Sequence, residues 1–104
     1  MAESLAVDIR TPLGFRVICS ERYWERITAI KHPAMRGKLE QVLETLAKPD
    51  EIRLSISDSN VLLFHRRTVP RWVCAVVKRG DSIGFLLTAY PADKVKQGEV
   101  VWTK

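Results

Sequence analysis

Two histidines, His32 and His65, are the side chains of this sequence able to take up and release a proton near neutral pH. Both stand beside cations: Lys31 precedes His32, and Arg66 and Arg67 follow His65. Arg53 and Arg66 fall in stretches with strand-like alternation. A guanidinium grips phosphate oxygens through two parallel hydrogen bonds and stays charged at any working pH. Thr88 and Tyr90 are two residues apart and so point to one side of a strand. Their hydroxyls could hold a phosphate oxygen, or Tyr90 could assist proton transfer. A proton acceptor, a proton donor and cations around a phosphorus centre are the parts of acid–base catalysis on a phosphodiester. Each part also has a plainer reading. His32 caps a helix, the arginines form weak surface ion pairs, and β propensity alone explains Thr88 and Tyr90.

Other chemistries find less support. No carboxylate pair, no Ser-His-Asp order and no glycine-rich phosphate loop is present. The two His and two Cys are scattered and no acidic cluster suits Mg²⁺, so neither a metal nor another cofactor is expected. Cys19 and Cys74 sit in apolar runs and read as small buried thiols, which suits a reducing cytoplasm. The first residues lack the basic and apolar segments of a secretory signal. No apolar run approaches the roughly 18 to 20 residues that span a bilayer, so no membrane partner is expected.

The chain has 104 residues, 46% hydrophobic and 28% charged, with a net charge of +5. That is one domain with enough apolar residues for a core. Residues 1–60 carry nine Lys/Arg against nine Asp/Glu; residues 61–104 carry eight against three, so the whole excess lies there. A basic half on a neutral scaffold fits a polyanion partner, although a basic protein without one has the same composition.

The elements that must position these residues follow from periodicity. Residues 1–19 read as an N-terminal arm with a strand at Phe15–Cys19. Ser20 is a suitable N-cap for a first helix, with Tyr23, Ile27 and Ile30 on one face and Glu21, Arg22, Glu25 and Arg26 in solvent. His32-Pro33 interrupts it, and Pro33 suits the first turn of a second helix. That helix carries Met35, Leu39, Val42, Leu43 and Leu46 as an apolar stripe and ends at Lys48-Pro49-Asp50. A pair of helices over 20–48 is therefore expected. After Pro49 the period drops to 2. Ile52, Leu54 and Ile56 alternate with Arg53, Ser55 and Ser57. In 61–67, Leu62, Phe64 and Arg66 share one side and Val61, Leu63 and His65 the other. Trp72–Lys78 reads as a central strand and 82–90 as the next, with Phe85, Leu87 and Ala89 toward the core and Pro91 ending it. Residues 94–102 form a basic turn and a candidate edge strand. Short loops favour an antiparallel meander. The expected class is α+β: two N-terminal helices packed on one face of an antiparallel sheet of four or more strands spanning 52–102. Arg66, Arg67 and Arg71 cluster around Trp72, which is either a core aromatic or a platform for a base.

The ordered set His32-Pro33, Pro49-Asp50-Glu51-Ile52-Arg53-Leu54-Ser55, Asp58, Val61-Leu62-Leu63-Phe64-His65-Arg66, Gly84-Phe85 and Thr88-Ala89-Tyr90 resembles the phage-type branch of the barnase, EndoU, colicin and RelE superfamily of small nucleases. The resemblance runs from about residue 22 to about residue 102 and departs at His65, where the pattern carries Tyr. It implies one RelE/barnase-like domain over 1–104. The activity it implies is metal-independent endoribonuclease cleavage through the RNA's own 2′-hydroxyl, in a toxin-like or mobile-element protein. Carried over, the site would be His32, Arg53, Ser55, Arg66, Thr88 and Tyr90, with Ser55 binding substrate and the others catalytic; the basic cluster of Arg67 and Arg71, with His65 beside it, adds further substrate-binding candidates. RNA is the implied partner, with an antitoxin or immunity protein as a second. A non-catalytic RNA-binding module, or a toxin that targets a protein, would use the same basic sheet.

Overall fold

A computed structural model describes residues 3–104, so the first two residues of the N-terminal arm lie outside the described residues. The strands are β1 (Leu5–Arg10), β2 (Arg16–Ser20), β3 (Glu51–Ser55), β4 (Val61–Thr68), β5 (Arg71–Arg79), β6 (Ile83–Ala92) and β7 (Gly98–Thr103). They form one seven-stranded sheet in the order β1-β2-β6-β5-β4-β3-β7. The class is α+β, with α1 (Glu21–Arg26) and α2 (Leu39–Ala47). The meander expectation holds for β3 to β6, which pair antiparallel in sequence order. Two long-range pairings lie beyond it. β2 runs parallel to β6, and β7 returns to pair with β3 at the far edge.

Val42 and Leu46 of α2 bury against Leu62 and Phe64 of β4, Val73, Ala75 and Val77 of β5, and Val7 and Val17 of the N-terminal hairpin. The helical segment departs from two continuous helices. Ser20 caps α1 as expected, accepting from the Tyr23 N–H at 3.0 Å. From Ile27 to Lys31 the turn widens to a π-helix, closed by a bond from the His32 N–H to the Ile27 carbonyl. The wider turn rotates later residues out of phase, so Ile27 is buried while Ile30, expected on the same face, is 72% exposed. Pro33–Met35 is a separate 3-10 turn. Gly37, at φ +76°, takes the left-handed conformation that breaks the chain before α2 begins at Leu39. Met35 still reaches the core, and so the apolar stripe survives the break.

The second sheet face carries its own small cluster, Val61, Leu63 and Cys74, with Val76, Leu87 and Tyr90 packed on it. Hence five consecutive residues of β4, Val61 to His65, are buried although strand side chains alternate.

Candidate functional site

β6 decides what this second face presents. Its register against β5 slips between Val76 and Val77: Val76 pairs with Thr88, but Val77 pairs with Leu86. Leu87 is the extra residue of a β-bulge, which reverses the side-chain phase. Leu86 and Ala89 therefore face the α2 core, while Leu87, Thr88 and Tyr90 face the opposite side. The expected core set of Phe85, Leu87 and Ala89 is thus corrected. Only Ala89 belongs to that core, and Phe85 is 49% exposed. Thr88 and Tyr90 do share a side, as their spacing requires.

His32 reaches this face through a fork in the sheet. β2 pairs with β6 only over Arg16–Ile18 and Ile83–Phe85. Beyond that point the π-helical and 3-10 turns take the place of a strand beside β6. The Leu87 carbonyl accepts there from the Tyr23 hydroxyl at 2.9 Å and from Lys31 Nζ at 3.2 Å. Lys31 Nζ also donates to the Tyr23 hydroxyl at 2.8 Å. Thus anchored, the chain delivers His32 onto the Tyr90 ring, with centroids 5.1 Å apart and planes tilted by 35°. The His32 side chain makes no capping bond to the turn that follows, which removes the helix-cap reading of this residue.

An open groove of about 960 Å³ lies between these residues and the β3–β4 turn. Leu63, Val61 and Val76 form its floor, His32, Thr88, Tyr90 and Lys96 one end, and Ser55, Ser57 and Asp58 the other. The segment from Ala92 to Gly98 closes its side. There the Lys96 backbone N–H donates to His65 Nε2 at 3.2 Å, and the Lys96 carbonyl accepts from an Arg53 terminal nitrogen at 3.3 Å. Lys96 Nζ sits 5.8 Å from the Tyr90 ring centroid. Gly98 lets this segment enter β7, because a Cβ there would overlap the Leu54 carbonyl of β3. Lys96 carried no motif in the sequence. Its basic turn was legible, but its place over Tyr90 depends on the β3–β7 pairing.

Burial governs the chemistry of the groups below. His65 is fully buried and its pKa falls to about 4. Burial is the main cause; Glu51 pulls it back up and Arg53 pushes it further down. His65 is therefore neutral near pH 7, and because Nε2 accepts from Lys96, the proton rests on Nδ1. Tyr90's hydroxyl is raised above its ordinary value by burial and by the Cys74 thiol beside it, so it stays protonated and acts as a donor. Burial pushes the Cys74 thiol up to about 11, which leaves it unreactive. At the far end Lys78 ion-pairs with Asp58 at 2.7 Å and holds its carboxyl below the usual range.

Three buried side-chain atoms on this face, Arg53 Nε, His65 Nδ1 and Thr88 Oγ1, lack a hydrogen-bond partner among the described residues, and the Tyr90 hydroxyl has only the weakly bonding Cys74 thiol. Leaving a buried polar group unpaired costs about 1 to 3 kcal/mol, so the fold gives up stability here.

Not every expected residue lines the groove: Arg53 ion-pairs with Glu51 at 3.3 Å behind the Lys96 segment, and His65 is buried beneath it, out of reach of a substrate. Arg66 lies on the α2 side, where it donates to the Lys48 carbonyl at 2.6 Å and approaches Glu44 at 3.6 Å. Arg71 pairs with Asp93 at 2.9 Å and borders the pocket around Met35 and Pro91. Strand alternation separates both from His32 and Tyr90, and the expected Arg66-Arg67-Arg71 cluster is divided between the two faces. Arg67 does lie on the site face. Its guanidinium covers Trp72 at 5.4 Å, one row beyond His65 and Cys74. Trp72 is half-buried and belongs to neither core cluster.

Comparison with protein-family models, with curated proteins and with solved structures finds no match. The chemistry of the groove therefore rests on its own residues. No helix among the described residues is long and apolar enough to cross a membrane.

Proposed function

We propose that the groove is the active site of a metal-independent endoribonuclease on a RelE/barnase-like scaffold. The observation that supports this reading is the convergence of His32, Thr88, Tyr90 and Lys96 at one end of the groove. Hydroxyl groups beside the Lys96 ammonium suit the oxygens of a phosphodiester.

His32 is the imidazole that opens on the groove, since His65 is buried beneath the Lys96 segment. It takes the proton of the RNA 2′-hydroxyl as that oxygen attacks phosphorus. The 2′-O–P bond forms and the P–O5′ bond breaks, leaving a 2′,3′-cyclic phosphate and a 5′-hydroxyl. The Lys96 ammonium supplies the proton to the departing 5′-oxygen. Thr88 and Tyr90 donate hydrogen bonds to the phosphoryl oxygens, while Arg53, its charge paired with Glu51 at 3.3 Å, holds the Lys96 carbonyl from behind. Ser55 borders the substrate at the far end, and Arg67 lies on the RNA path beyond His65. The protein is proposed to act in a cytoplasmic, toxin-like or mobile-element setting, opposed by an antitoxin or immunity protein.

Incubating the purified protein with RNA in EDTA and analysing the product ends tests the reaction. Cyclic phosphate and 5′-hydroxyl ends are expected. RNA that is bound but never cut would replace this reading with the non-catalytic module.

A further inference from the structure

A phosphate does not account for the shape of the groove. Cavities of about 300 to 1,000 Å³ hold whole small molecules, and this one lies near the upper end of that range. Its polar groups are also unevenly placed. His32 and Lys96 stand at the Tyr90 end, while the half-buried Val76 and the edges of the buried Val61 and Leu63 make a floor of aliphatic carbon. These residues belong to the second cluster, packed through Cys74 and Leu87 into the sheet, so the floor is rigid. Val76 and Leu63 are cross-strand neighbours, and Val76 is also opposite Thr88. The apolar surface is thus continuous with the phosphate end, one residue row away. Past the floor the groove ends at Ser57 and at the Asp58–Lys78 pair, which presents an acceptor beside a donor.

A flat apolar group joined through a short polar spacer to a phosphate has the form of a nucleotide. Resting on the reading of the Tyr90 end as a phosphate site, we infer that the groove seats one nucleoside of the substrate. Its base lies on Val76 and the exposed edges of Val61 and Leu63, its edge faces Ser57 and Asp58, and its 3′-phosphate reaches His32, Thr88, Tyr90 and Lys96. The protein then grips a nucleotide as a unit rather than the RNA backbone alone. Recognition of the base sets the register of cleavage, because the scissile phosphate is the one attached to the seated nucleoside.

The experiment compares binding of the four nucleoside 3′-monophosphates, of ribose 5-phosphate and of inorganic phosphate to the wild-type protein by calorimetry, alongside RNA cleavage. Burying a base against the floor should make at least one nucleotide bind about tenfold or more tighter than ribose phosphate. Val76→Trp, which fills the floor, should abolish that difference. Nucleotides and ribose phosphate binding equally to a wild-type protein that cleaves RNA would overturn the base seat while leaving the phosphate site intact. If neither class binds and RNA is not cut, the phosphate site fails and the base seat fails with it. The comparison on the wild-type chain stands without the variant, whose fold is checked separately by circular dichroism.

Discussion

Replacing His65 with Gln should flatten the pH dependence of stability. The folded protein holds His65 neutral, with a pKa of about 4 against 6.5 for the free side chain. Protonation would bury a charge and turn Nε2 from an acceptor into a donor facing the Lys96 N–H. The unfolded chain therefore binds a proton from about pH 6.5 downward, whereas the folded chain does not until about pH 4. Stability must fall as pH drops through that window, and the loss is complete below the folded pKa. Linkage puts the whole loss at about 3 kcal/mol, of which about 2 kcal/mol falls between pH 7 and pH 5. Gln keeps an acceptor for the Lys96 N–H and has no proton to gain. Urea unfolding of both proteins at pH 7 and pH 5, followed by tryptophan fluorescence, isolates the effect, because the carboxylates contribute equally to both. The wild type should lose about 2 kcal/mol more than the variant, a relative midpoint shift of about 1 M urea. Parallel losses in the two proteins would show that His65 is not held neutral and would refute the account of this face.

Other outcomes follow from the same geometry. His32→Ala should slow RNA cleavage by about 10² to 10⁴ with affinity nearly unchanged, measured by gel assays of cleavage and binding; a folded variant that cuts at the parental rate would remove His32 from the reaction. Arg66→Ala should cut at the parental rate yet lose about 1 kcal/mol of stability in urea, since its guanidinium fastens the Lys48 carbonyl and pairs with Glu44 on the α2 side. A large loss of activity at constant stability would return Arg66 to the site. RNA affinity should fall steeply with salt, and Lys96→Ala should reduce the log–log slope by about 1. Arg71→Ala should leave the slope as it was, because Arg71 is engaged with Asp93 on the other face.

Local pattern reached as far as local physics does. Period 2 in 51–56 and 61–67 placed Arg53 with Ser55 and separated Val61, Leu63 and His65 from Leu62, Phe64 and Arg66, and the sheet keeps both divisions. The apolar stripe through Leu46, the Ser20 cap and the burial of Cys19 and Cys74 were legible for the same reason: each depends on neighbours within a turn or two of chain. Convergence of His32 with Thr88 and Tyr90 was legible only as a resemblance. No single-residue propensity relates positions 56 or more residues apart.

Tertiary structure decided the rest. Arg66 could be placed on a strand face from sequence, but which face is the groove depends on where α2 packs, and α2 took the side bearing Arg66. The bulge at Leu87 turned Phe85 outward and Thr88 inward to the groove, a phase change set by the ladder to β5. A widened helical turn exposed Ile30 and carried His32 through the gap between β2 and β6. Lys96 acquired its place only when β7 crossed back to β3, drawing the preceding segment over His65. Sequence alone determined which side chains could do chemistry and, where no bulge intervenes, which neighbours share a strand side. Which of them meet is a property of long-range pairing, where register and crossover are chosen by the burial of whole faces rather than by any local run of residues.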